Sequence, residues 1–263
     1  LQGPPTQYFW GMYDDYVKNP GFGKLNFIVR FFFRLLVGPL RKIDWKFAQR
    51  PTVLVANSSY SAAETEKYYN RSARVLFPPV EVDTFTLSST DAVSEEEFFI
   101  TTSRQVNWKR LDIAIQACLL SGKRLVLVGD GAEHSSLQQL AGDSPLIKFI
   151  PRIDSPEELS ALVSRAKGFI FPSIEPFGIA PIEALSAGVP VIALKQGGAL
   201  DYIHEGKNGT FFDEQTVESL VAAMQRFENM TFHKQQVSAS AKGFSDARFK
   251  QELQRIVDDA TGN

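Results

Sequence analysis

The sequence predicts an α/β protein built on a doubly wound parallel sheet. Two observations carry this. From residue 98 onward, short continuous apolar runs alternate with segments of helical period. Strands buried on both faces read as such runs, whereas half-exposed strands alternate apolar with polar residues. The spacers are also long enough, at about a dozen residues, to be the helical crossovers that parallel neighbours require.

The series opens with the strand FFIT (98–101) and the helix LDIAIQACLLSG. RLVLV (124–128) leads into EHSSLQQLA, LIKFI (146–150) into SPEELSALVSRA, and GFIF (168–171) into IAPIEALSAG. PVIAL (190–194) and GTFF (209–212) complete the strands. Ser155-Pro156-Glu157-Glu158 supplies an N-cap, a proline at the first helical position and acidic residues in the first turn. VESLVAAMQRF, a segment after Met230 and SDARFKQELQRIVDDA are helical, the last with Ser245 as N-cap and apolar positions at Phe249, Leu253, Ile256 and Val257. Ahead of the series, PTVLVANSSYSAAETEKYYN reads as a strand (VLVA), a Ser-rich turn and a helix, and RVLF is a short strand ending at Pro78-Pro79. The polar, aperiodic TLSSTDAVSEEE (86–97) reads as a linker.

Composition narrows the function. The 263 residues are 44% hydrophobic and 22% charged, which suits a globular chain and excludes disorder. The net charge is −2, yet residues 24–50 hold seven basic residues against Asp44 alone. General nucleic-acid binding is therefore not expected, and one local basic surface is. Cys118 is the single cysteine, which rules out an internal disulfide and a cysteine zinc site. His134, His204 and His233 lack metal-ligand spacing, and no D-x-D occurs, so neither a metal nor another cofactor is expected. The first residues, LQGPPTQYFW, have neither the basic nor the apolar region of a signal peptide, and a cytoplasmic protein is expected. Leu25–Phe47 is the most apolar stretch. Arg30 and Arg34 interrupt it and Gly38-Pro39 is expected to break it, so it does not span a bilayer. A helix packed in a core is the favoured reading; a basic, aromatic helix lying on an anionic membrane at the cytoplasmic face is the other.

Ligands of open α/β sheets bind beyond the carboxyl ends of the strands, where helix N-termini offer unpaired N–H groups. Four loops there carry suitable chemistry. TTSRQVNWKRLD places Arg104 and Lys109 at the turn into a helix, where two cations could neutralise a diphosphate or simply be solvated. Gly129-Asp130-Gly131 is a tight turn open to a ligand, without the full dinucleotide fingerprint. PSIEPFGIAPIEALSAG puts Glu175 in a loop, Gly178 before a helix and Glu183 inside it. The amides near Gly178 would face an anion, and Glu183 could hold two adjacent sugar hydroxyls or face solvent. Gln196-Gly197-Gly198 opens another helix N-terminus. Eight positions apart, the two glutamates do not suit a glycosidase acid/base pair.

These motifs in this order resemble the donor half of retaining glycosyltransferases of the GT-B class, specifically glycosyltransferase family 4. The matching elements are S-R-x4-K (Ser103, Arg104, Lys109), V-G-D-G (128–131) and E-x7-E (Glu175 to Glu183) enclosing F-G-I. G-V-P-V-I-A (188–193), Gly197-Gly198 and G-x-N-G (206–209) follow. PPTQYFW (4–10), YDDY, Asp44-Trp45, Ala48-Gln49-Arg50, VANS and FPPVE are similar to segments of members that use mannose donors. Ser103 stands where the family usually has Gly.

The resemblance implies that Arg104 and Lys109 grip the donor diphosphate as it leaves and that Glu175 meets the donor sugar at the reaction centre. Glu183 would hold the ribose, the backbone of Phe177, Gly178 and Ile179 would touch sugar or phosphate, and Arg152 and Ile153 would read the base. It implies a GT-B architecture in which residues 1–85 are the end of an acceptor-side domain and 86–97 a linker. Residues 98–244 would be the nucleotide-sugar domain and 245–263 a helix returning toward the first domain. The early strands of the acceptor-side domain would then be missing. The expected activity is transfer of a sugar, mannose from GDP-mannose foremost, to a lipid-linked or polysaccharide acceptor. A nucleotide-sugar epimerase and a non-catalytic nucleotide-sugar-binding module are the alternatives.

Overall fold

The computed structural model describes residues 4–18, 25–85 and 97–262. All of the expected linker except Glu97 lies outside the described residues. The chain divides into two compact units: the residues up to Phe77 together with those from Lys250 onward, and Pro78–Phe249.

The first unit holds helices Tyr13–Lys18 (α1) and Asn26–Ala48 (α2), strand Val55–Ala56 (β1), helix Ser59–Tyr69 (α3) and strand Arg74–Val75 (β2). The two short strands pair in parallel. Ser58 caps α3 by accepting from the Ser61 amide at 3.0 Å, satisfying one of the helix's orphan donors. Asp44 of α2 is the polar knot of this unit. Its carboxylate accepts from Thr6 Oγ1 (2.9 Å), Trp10 Nε1 (2.7 Å) and the Tyr69 hydroxyl (2.7 Å). Arg74 pairs with Asp259 at 2.7 Å, which joins β2 to the C-terminal segment.

Two expectations for the basic stretch are corrected. Helix α2 runs on through Gly38-Pro39. A proline removes one backbone N–H and crowds one carbonyl, a local cost that the remaining turns carry. The helix is also not buried in a core: only Val37 and Ala48 are buried along it, while Phe27 (70% exposed), Phe31, Phe32, Leu35, Trp45 and Phe47 face outward. The reason is a lack of partners among the described residues. Two-residue strands, the short α1 and α3 cannot cover an apolar face of six turns. Among the described residues no helix is long and apolar enough to cross a membrane.

The second unit is the predicted sheet. Its strands are Phe98–Thr102 (β3), Arg124–Val128 (β4), Ile147–Ile150 (β5), Gly168–Phe171 (β6), Val191–Leu194 (β7) and Gly209–Phe212 (β8). Its helices are Leu111–Ser121 (α4), His134–Ala141 (α5), Pro156–Val163 (α6), Ile179–Ser186 (α7), Val217–Glu228 (α8) and Lys234–Ala241 (α9); Asp246–Thr261 (α10) closes the chain. Every pairing in the sheet is parallel, and the spatial order is β5-β4-β3-β6-β7-β8. This is a doubly wound Rossmann order, and its direction reverses between β3 and β6. The continuous apolar runs are explained by burial on both faces: Phe99, Leu125, Leu127, Ile170, Ile192, Leu194 and Phe212 share one core with Ile113, Ile115 and Phe227 of the covering helices. Ser155 and Thr216 cap α6 and α8, each accepting a backbone N–H at 3.2 Å. Cys118 is buried in α4, and burial pushes its thiol up to about 12, so it stays protonated.

Residues 78–85, expected with the first domain, group with the second unit. The Val80 amide donates to Phe244 O at 2.9 Å, and Ser186 Oγ of α7 donates to Val82 O at 2.8 Å.

Candidate active site

The loops after β3 and β6 lie side by side because their strands pair at the switch point. Lys109 ends a 3₁₀ turn (Asn107–Lys109) after β3, and Glu175 lies in the loop after β6. Lys109 Nζ meets Glu175 Oε1 at 2.5 Å with both side chains about 15% exposed, and Ser173 Oγ donates to the same oxygen at 2.9 Å. Arg110 adopts φ 53° beyond the turn and clamps Asp112 through two bonds of 3.1 and 3.0 Å. It also donates to Gln215 Oε1 (3.2 Å), whose amide holds Pro172 O (2.8 Å). The β3 and β6 loops are thus braced on both sides of the ion pair.

Gly197 and Gly198 belong to this brace. A Cβ on Gly197, where φ is 70°, would lie 2.5 Å from Glu175 O, and one on Gly198 would lie 2.4 Å from Pro176 O. The Gly198 amide donates to Glu175 O at 2.8 Å, so that N–H is already engaged. Gly178, with φ 89°, precedes α7, and a Cβ there would strike Phe171 and the Tyr202 hydroxyl at 2.8 Å. Tyr202 is buried and donates to Phe177 O at 2.8 Å, while the Phe177 ring is buried beside it. Ile179, the first residue of α7, is 48% exposed, while Phe177 and Gly178 just before it are buried.

Glu183, one turn into α7, is not solvent-facing. Burial first, and the nearby Glu81 carboxylate second, push its carboxyl up to about 7. No side chain among the described residues hydrogen-bonds it.

On the other side of β3, the β4 and β5 loops form a second linked group. Gly129 (φ 128°) and Gly131 are needed because Cβ atoms there would lie 2.2 Å from Ser103 O and 2.3 Å from Gln105 O. The glycines therefore admit the neighbouring protein loop, whatever ligand they also admit. Ser103 N donates to Val128 O at 3.0 Å. Asp130 Oδ2 accepts from the Arg152 amide at 3.0 Å, while the Arg152 side chain is exposed on Asp154 at 2.8 Å and Ile153 is half-buried. Arg104, on the β3 loop between the two groups, is exposed and has no side-chain partner among the described residues. Sequence reasoning missed Ser173, Arg110, Gln215, Tyr202 and Gln105. Nothing in their local pattern distinguishes them from ordinary loop polar residues. Among the described residues no three His, Cys, Asp or Glu gather to hold a metal ion.

Chemically, these loops offer an exposed guanidinium, an ammonium held beside a carboxylate, the N-terminus of α7 and a half-buried carboxyl with no side-chain partner among the described residues. Sheet order and switch-point loops define a Rossmann-type domain, the kind of unit from which a GT-B architecture is built. The chain belongs to the family Glycosyl transferases group 1, whose profile matches residues 83–244. It is 32% identical over 148 residues to a GDP-mannose-dependent alpha-mannosyltransferase of Corynebacterium glutamicum, covering 53% of this chain and 35% of that protein. It is 25% identical over 255 residues to the alpha-1,3/1,6-mannosyltransferase ALG2 of Dictyostelium discoideum, covering 78% of this chain and 60% of that protein. The chain thus spans about a third to three-fifths of the curated relatives it matches. Among solved structures, Anabaena Alr3699/HepE in complex with UDP superposes with a TM-score of 0.72 at 22% identity, over 83% of this chain and 67% of that one. That likeness concerns the fold.

Proposed function

We propose that the chain carries the donor half of a retaining glycosyltransferase that transfers mannose from GDP-mannose to a lipid-linked or polysaccharide acceptor. The observation that carries this reading is the meeting of the β3 and β6 loops at the switch point, where the Lys109–Glu175 pair joins them and the β3 loop also presents the exposed Arg104. The names of the two mannosyltransferase relatives support the donor.

In this reading Arg104 and Lys109 take up the charge of the departing diphosphate, helped by the N-terminus of α7. No metal is needed for that electrostatic task. Glu175 contacts the donor sugar and Glu183 accepts from the two ribose hydroxyls. The amides of Phe177, Gly178 and Ile179 lie along the diphosphate and sugar, and the backbone at Arg152 and Ile153 borders the base. In this scheme retention comes from acceptor attack on the face that the diphosphate leaves, with Glu175 contacting sugar hydroxyls and not the reacting carbon.

Mannose transfer from GDP-mannose to a polyprenyl-linked glycan, followed by mass spectrometry, tests the reading. Product formation that drops about a hundredfold or more in Arg104→Ala supports it, a loss typical of removing one charged transition-state contact. Conversion of GDP-mannose without any acceptor would identify an epimerase instead. Binding without turnover would identify a nucleotide-sugar module.

Membrane contact belongs to the same reading. Exposed Phe27, Phe31, Phe32 and Leu35 on α2 alternate with Arg30 and Arg34, the pattern of a helix that lies in an anionic lipid interface.

A further inference from the structure

Gln105 is wholly buried in the middle of the most polar loop of the rim. All four of its hydrogen-bonding groups go to one short segment, the β4 loop and the start of α5. Its backbone amide donates to Asp130 O (2.8 Å) and its carbonyl accepts from the Glu133 amide (2.9 Å). Its side-chain amide donates to Gly129 O at 2.5 Å, and its Oε1 lies 2.7 Å from His134 Nδ1. Since Oε1 only accepts, His134 must carry a hydrogen on Nδ1. Gly131 packs against the Gln105 backbone so closely that a Cβ would lie 2.3 Å from its carbonyl oxygen.

This has a consequence for the next residue. The Val106 amide donates to Arg104 O at 3.0 Å, a three-residue turn centred on Gln105, so anchoring Gln105 also fixes the backbone that carries Arg104. Arg104 is exposed, and its side chain has no partner among the described residues. We infer that Gln105, held by His134, is a positioning residue that sets the reach of Arg104 toward the donor diphosphate. The inference rests on the donor-site reading above. Gln105 touches no ligand in this scheme and acts through its neighbour. Asp130, which accepts from Arg152 N, extends the same frame to the β5 loop.

The test is a binding cycle by calorimetry with GDP-mannose, GDP and GMP, on wild type, Gln105→Met, Arg104→Ala and the double variant, with thermal melts alongside. Loss of a buried hydrogen-bond pair should weaken GDP-mannose and GDP by about tenfold in Gln105→Met. GMP, lacking the second phosphate, should change less than about twofold, and in the Arg104→Ala background Gln105→Met should have no further effect. His134→Gln, which keeps a donor, should restore what His134→Ala loses. Should Gln105→Met fail to fold, His134→Ala, which removes one bond only, runs through the same cycle. Equal losses for GMP and GDP, or full additivity with Arg104→Ala, would overturn the positioning role while leaving the donor site intact. No binding of any nucleotide by the wild type would overturn both.

Discussion

Lys109 and Glu175, sixty-six positions apart in the chain, form a 2.5 Å ion pair across the point where the sheet reverses its strand order. Each comes from a loop that the other loop braces, and Ser173 shares the carboxylate. Two side chains expected to serve the diphosphate and the sugar of one donor are therefore joined to each other.

Breaking this pair one-sidedly should cost stability. Lys109→Met leaves Glu175 mostly buried without its cation, at a cost of about 3 kcal/mol, the low end for a one-sided break of a buried pair. The double variant Lys109→Met/Glu175→Gln should recover at least half of that. Urea denaturation of the three proteins measures it; equal destabilisation by the single and double variants would show that the pair is not energetically coupled.

Glu183 supplies a pH dependence. Its carboxyl titrates near 7 in the folded chain against an ordinary value of 4.5. The stabilisation by the neutral form is full below pH 4.5 and is lost as pH rises through 7. At pH 8 the charged carboxylate then costs about 3 kcal/mol. Glu183→Gln, which cannot ionise, should gain stability over wild type between pH 5.5 and 8. Binding runs the other way, because ribose hydroxyls donate to the charged form: GDP-mannose should bind wild type more tightly at pH 8 than at pH 6 and bind Glu183→Gln with little pH change.

Gly197→Ala tests the close packing of the Glu175 loop. Its Cβ would lie 2.5 Å from Glu175 O, against backbone, at a positive φ. A loss of about 2–4 kcal/mol is expected, with displacement of the loop. Gly122→Ala, also at positive φ but with open space around the Cβ, should lose only about 1 kcal/mol. Thermal melts of the two variants compare them directly.

The α2 face makes a lipid prediction. Co-sedimentation with vesicles should rise with the fraction of phosphatidylglycerol and fall in high salt, and Phe31→Ser/Leu35→Ser should reduce it several-fold. Binding that ignores anionic lipid content would contradict membrane contact.

The sheet was legible because strands such as Ile170 and Ile192 are buried on both sides, which leaves an unbroken apolar run in the sequence. The cap at Ser155 is local and therefore also visible. Helix α2 was harder: Gly38-Pro39 signals a break locally, and whether apolar residues such as Phe27 find partners depends on the rest of the unit. The candidate rim was legible as residue types, since Arg104, Lys109, Glu175 and Gly178 follow predicted strands. What stayed hidden was the reason for several of them. Gly129, Gly131, Gly197 and Gly198 read as openings for a ligand, whereas in three dimensions they admit neighbouring loops. Gln105 looks like any solvated loop amide until the β4 loop folds over it.

A crystal structure of the protein soaked with GDP-mannose tests the central claim most directly. The account predicts diphosphate oxygens within hydrogen-bonding distance, about 3 Å, of the Arg104 guanidinium, with Lys109 turned from Glu175 toward phosphate and the first amides of α7 alongside. A nucleotide bound away from the β3 and β6 loops, with the Lys109–Glu175 pair undisturbed, would contradict it.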